Sequence, residues 1–195
     1  MTSDLKWEEN TNYLVKDANK RMLMLRAAAK FTSDKKVLKQ IYYSRIRCKL
    51  EQSAAVWSSS LTQKNVADLE RVQKAAVRLI NGKPYESYSE TLKELGIMRL
   101  SERRNVICLK FAKSCLRLEN FKKLFPMHVS KHDMKKRHKE KFQISKRNGK
   151  RYENSAIPKM LSLLNKEHKI KKQNFDKLKK SVLSPTNFAC TRIYC

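Results

Sequence analysis

Few residues in this chain have the type and spacing that chemistry requires. His128 and His132 stand four positions apart, which on a helix places two imidazoles on one face, and Cys190 and Cys195 carry further thiols. Zinc ligation by that set would need convergence across a long polar stretch, so these read as ordinary exposed residues and no metal is expected. His138, inside KKRHKEK, adds to a basic surface. No glycine-rich phosphate loop, no HExxH and no zinc-finger spacing occurs. Carboxylates stand mostly among basic neighbours, where i,i+4 pairing in solvent accounts for them. No two aspartates are placed as a two-metal polymerase site requires. We therefore expect no cofactor, no catalytic residue and no enzymatic activity from this chain.

The cations carry more information. Lys and Arg number 45 against 18 Asp and Glu in 195 residues, a formal charge of +27. A surface so positive repels itself, and the natural counterweight is a polyanion. Nucleic acid is favoured over membrane, because there is no long apolar span and no basic helix with a bulky apolar face. Arg45, Arg47, Lys49, Lys74, Arg78, Arg103 and Arg104 fall on predicted helices and can neutralise phosphates from a fixed surface. Lys16, Lys20 and Arg26 occupy the outer side of the first predicted helix, and Lys135, Lys136 and Arg137 lie in the run KKRHKEK. Tyr42, Tyr43, Tyr85 and Tyr88 offer rings for base stacking, although those in apolar register belong in a core.

Helices must position these groups, since only three Gly and four Pro punctuate the chain. The first helix is expected over Thr11–Lys30, with Leu14, Ala18, Met22, Leu25 and Ala29 inward. Ser33 is the expected cap of a second, whose inner side reads Leu38, Ile41, Tyr42, Ile46 and Leu50 and continues toward Trp57. Thr62 caps a third that ends at Asn81 with Gly82 in the left-handed region. A short helix follows with Ser87 and Glu90 as capping box and Gly96 as its end. A fifth runs from a Ser101 cap toward Glu119 and buries Leu100, Cys108, Phe111, Ala112, Cys115 and Leu118. Cys108 and Cys115, two turns apart, read as buried thiols in a reducing compartment rather than half of a disulfide framework.

The composition changes near residue 127. Residues 1–127 hold 26 basic and 13 acidic residues, whereas residues 128–195 hold 19 and 5 in about half the length. The expected fold class is all-α: a helical domain over 1–127, then a basic, partly disordered tail over 128–195 with one short helix at 156–166. The acidic, polar N-terminus differs from a secretory signal, and KKRHKEK resembles an import signal, so an intracellular location, nuclear or cytoplasmic, is expected.

The order of WEENTNYLVKDANKRM, IYYSRIRCKLEQSAAVWSSSLT, LERVQKAAVRLI, YESYSETLKELGI and RRNVICLKFAKSC closely resembles the region downstream of the polymerase palm in non-LTR retrotransposon reverse transcriptases, the LINE-type and jockey-like group. The resemblance covers Trp7 to about Pro126, and a weaker similarity continues through RYENSAIPKMLSLLN. It implies a helical thumb and connection that help to hold a template–primer duplex, with Trp57, Leu69, Val72 and Ala76 at packing positions and the basic face of the first three helices toward nucleic acid. Implied partners are an RNA–DNA hybrid or other nucleic acid and the fingers and palm of a parent polymerase. The family's aspartate motif and endonuclease lie upstream of every matching block, so the resemblance implies a non-catalytic piece. Met1 then reads as an internal start in a truncated element or as a cut from a longer reading frame. A decayed helical remnant or interaction protein with no independent nucleic-acid role is the alternative.

Overall fold

The structure is a computed structural model, and it describes residues 6–82, 87–127, 141–145 and 149–182. It is all-α: among the described residues the only extended pairing is an isolated bridge between Met127 and Phe142.

Helix α1 (Glu8–Phe31) turns Thr11, Leu14, Ala18, Met22 and Leu25 inward, a three-to-four-residue stripe that makes one face apolar. It begins a turn earlier than expected. Both the amide and the hydroxyl of Thr11 donate to the Trp7 carbonyl at 2.9 Å, and Glu8 and Glu9 complement the positive end of the helix dipole. Asp34, not Ser33, caps α2 (Lys35–Ile41), because its Oδ1 accepts from the Lys36 amide at 2.8 Å.

From α2 the chain passes into a π-helical segment (Tyr42–Arg47) and α3 (Cys48–Leu50) with helical dihedrals throughout. Leu38, Tyr42, Ile46 and Leu50 are all buried, and they step by four. Each such step overshoots a turn of 3.6 residues by about 40°. The wider i→i+5 turn takes up that drift and keeps the four on one side. The helix does not reach Trp57. Ser53, at φ 52°, turns the chain in the left-handed region and starts α4 (Ala54–Trp57), and the Trp57 indole donates to the Gln52 carbonyl at 2.7 Å across the turn.

Helix α5 (Gln63–Asn81) forms as expected, with Thr62 Oγ1 accepting from the Asn65 amide at 3.2 Å and Gly82 at φ 63°. Leu69, Val72, Ala76, Val77 and Ile80 share the first core with α1, the π segment and Trp57. Gly96, at φ 64°, closes α6 (Tyr88–Leu95) as expected, but Ser87 makes no side-chain cap; instead the Thr91 hydroxyl donates to the Ser87 carbonyl at 2.8 Å. Nor does the Ser101 side chain cap α7 (Leu100–Arg117). The Ser101 amide donates to Glu70 Oε1 at 3.0 Å, so α7 is capped from α5. Glu70 Oε2 accepts from the Tyr88 hydroxyl at 2.8 Å, which makes this one carboxylate the tie between α5, α6 and α7.

The inner side of α7 is Arg104, Cys108, Ala112 and Cys115, which leaves Phe111 and Leu118 exposed against expectation. Leu118 has already left the helix at φ −99°, ψ 120°. Cys108, Ala112 and Cys115 enter a second core with Phe125, Phe142, Met160, Leu161 and Leu164, drawn from both sides of residue 127. Between them lie the short α8 (Glu119–Lys122) and α9 (Lys150–Glu153). The helix expected over 156–166 is the docked part of α10 (Ala156–Val182). Its Asn165 amide both accepts from and donates to the Phe142 backbone at 3.0 Å, which anchors 141–145 where side-chain hydrophobicity alone gave no signal. Residues 128–140 and 183–195 of the expected tail fall outside the described residues.

Candidate nucleic-acid interface

The structure separates the candidate cations by their surroundings. Lys16, Lys20 and Arg26 on α1, Arg45 in the π segment, and Lys74 and Arg78 on α5 are exposed, because each lies away from its helix's buried stripe. Three others are half-buried and held by neighbours. Arg103 makes two bonds to Glu51, at 2.7 and 2.9 Å, and that pairing raises its pKa. Arg47 lies 3.8 Å from the same carboxylate and 3.8 Å from the centre of the Tyr43 ring, and Lys49 Nζ donates to Gln52 Oε1 at 3.3 Å. Arg104 is corrected outright: at 2 % exposure it faces the interior and cannot reach a phosphate outside. Its position four residues before Cys108 puts it on the inner side of α7. Lys135, Lys136 and Arg137 lie outside the described residues, as do His128, His132, His138, Tyr85, Cys190 and Cys195.

Two cations join the set. Lys64 and Arg71 are exposed on α5 together with Lys74 and Arg78. Spacings of seven, three and four residues place all four along one outer stripe, opposite the core residues Leu69, Val72, Ala76 and Ile80. The signal is present in the helical period of the segment, but Lys64 stands outside LERVQKAAVRLI and Arg71 has Asp68 three residues before it. That pair does form, at 3.0 Å, yet the Arg71 side chain remains 78 % exposed, where a single ion pair in water holds it weakly. Lys74 Nζ sits 5.2 Å from the centre of the Tyr88 ring. From Lys64 to Arg78 the stripe extends about 21 Å at 1.5 Å per residue.

Tyr42 and Tyr88 serve the fold. Tyr42 is fully buried, and Tyr88 is half-buried with its hydroxyl committed to Glu70. Burial raises both phenol pKa values well above the ordinary value, with Glu70 adding to the rise at Tyr88. A raised folded pKa means that stability from these groups is intact below the unfolded value of about 10 and is lost as pH climbs beyond it. We expect alkaline unfolding to begin above about pH 10. The tyrosinate absorbance of Tyr42 and Tyr88 should appear together with loss of helical circular dichroism; free titration of every tyrosine in a still-helical chain is the contrary result.

Among the described residues no group of three or more His, Cys, Asp and Glu could hold a metal, and no helix is long and apolar enough to cross a membrane. Cys108 and Cys115 are buried free thiols, as their spacing predicted, and Cys48 is exposed. No protein-family model, no curated protein and no solved structure matches the chain.

Proposed function

We propose that the chain is a non-catalytic, thumb-like nucleic-acid-binding unit related to the C-terminal part of LINE-type reverse transcriptases, and that it grips the phosphate backbone of a template–primer duplex. The observation that carries this reading is the α5 stripe. Lys64, Arg71, Lys74 and Arg78 present a rigid basic edge on the helix whose other side is the core, and Lys16, Lys20, Arg26 and Arg45 supply further exposed charge. Cations fixed on a helix contact phosphates without reading bases, so binding should be sequence-tolerant. The partner favoured by the sequence resemblance is an RNA–DNA hybrid.

The test is binding of the full chain to a labelled RNA–DNA hybrid across a salt series. Log affinity should fall linearly with log salt, by roughly 0.9 for each duplex phosphate neutralised, and change little when the hybrid's sequence is scrambled. Affinity that is flat from low to high salt would sink the proposal. A second reading rests on α1, where Leu23, Met24 and Phe31 are 62 %, 50 % and 90 % exposed. Apolar residues left open beside one another suit an interaction surface for the rest of a polymerase. A cooperatively folded chain that binds no nucleic acid at any salt selects that reading.

A further inference from the structure

Where α4, α7 and α10 meet, a buried and a half-buried cation lie close together, neither ion-paired to a carboxylate among the described residues. Arg104 is 2 % exposed and its Nη1 is buried with no hydrogen-bond partner. The groups that act on it electrostatically are Glu70, the Cys108 thiol and Glu51, and both carboxylates are engaged elsewhere: Glu70 by the Tyr88 hydroxyl and the Ser101 amide, Glu51 by Arg103 and Arg47. Lys159, half-buried on α10, donates to the Ser58 carbonyl at 2.8 Å and the Ser58 hydroxyl at 3.2 Å, both neutral acceptors. The same hydroxyl lies 3.2 Å from the Cys108 thiol, one turn along α7 from Arg104. Burial lowers the pKa of both cations; at Lys159 the Cys108 thiol opposes that and Arg104 adds to it.

Proton loss can relieve Lys159 but not a guanidinium, which stays charged in proteins. An unpaired buried charge costs several kcal/mol, on the order of the whole stability margin of a domain. A buried donor without a partner therefore points to a missing one. We propose that this junction binds a small inorganic anion, of the halide or phosphate class, between the Arg104 guanidinium and the Lys159 ammonium, with the Ser58 hydroxyl as a further donor. A nucleic-acid backbone phosphate is excluded by the burial of Arg104, so this site is independent of the α5 stripe. Its occupant would bridge α7 and α10 and strengthen the docking of α10 on the body.

The experiment is thermal melting of the full chain, titrated with sodium chloride or sodium phosphate while sodium gluconate holds ionic strength constant. A saturable rise on the order of 5 °C is expected for at least one of the small anions. In Lys159→Met, which keeps the aliphatic stem and removes the ammonium, the saturable part should vanish; Lys159→Gln serves if that variant fails to fold. Absence of a saturable rise in the unsubstituted chain overturns the proposal, as does an equal rise in the Lys159 variants, which would place the effect on the general surface charge. Chloride and phosphate acting alike would mark a site selected by charge, and one acting alone a site selected by size; either supports it.

Discussion

Replacing Lys64, Arg71, Lys74 and Arg78 together by glutamine should lower affinity for an RNA–DNA hybrid on the order of a thousandfold near 0.1 M salt. The salt slope should become shallower by between three and four, at roughly 0.9 for each phosphate no longer neutralised. The fold should survive. All four side chains are exposed opposite the core, and glutamine is about as good a helix former as lysine or arginine. Exposed substitutions of this kind shift stability by about 0.5 kcal/mol or less each, so the melting curve isolates binding from folding. The informative control is an equal charge reduction elsewhere, with Lys36, Lys93, Lys110 and Lys123 changed to glutamine, all exposed on other elements. If that variant loses as much affinity as the stripe variant, binding follows net charge alone and α5 holds no particular role. Arg103→Gln should leave the slope unchanged, since its guanidinium is already satisfied by Glu51.

Trp57→Ala should cost about 3–5 kcal/mol, the range found when large aromatic side chains are removed from cores. Trp57 is 2 % exposed within the first core, and its indole N–H bridges back to the Gln52 carbonyl across the turn made at Ser53. Truncation opens a cavity in the first core and removes the bond that spans the left-handed turn at Ser53. For a domain whose total stability is about 5–15 kcal/mol, such a loss is a fifth or more of the margin, seen as a melting point lower by roughly 6–20 °C. Trp57→Phe should retain most of the packing and lose chiefly the hydrogen bond, about 1 kcal/mol. A Trp57→Ala loss below about 1 kcal/mol, measured by denaturant unfolding, would show that α4 does not sit in this core.

Several local signals read well. Thr62 and Gly82 delimit α5 because the first hydroxyl meets an amide three residues on and the second residue tolerates positive φ without a Cβ. Cys108, Ala112 and Cys115 face inward because their spacing matches the helical period. Some misread ends, such as the Asp34 cap of α2, also have local partners, but others depend on residues far along the chain or on the packing. Nothing near Ser101 announces that Glu70, thirty-one residues earlier, will accept its amide. Nothing near Ser53 announces a left-handed turn, since serine carries no special liking for that region.

The candidate site divides along the same line. By itself, the sequence determined that the protein would be helical and strongly basic, because composition and helical period are properties of residues and their neighbours along the chain. Only the tertiary structure decided which cations face water. Arg103 and Arg104 are adjacent, yet one rests on Glu51 and the other lies in the interior with an unpaired nitrogen, because successive helical residues point about 100° apart and the packing of α7 on its neighbours chooses between them. It likewise decided that residues beyond 127 contribute to a core, since Met160, Leu161 and Leu164 gain from burial only where Cys108, Ala112 and Phe125 offer a surface to bury against.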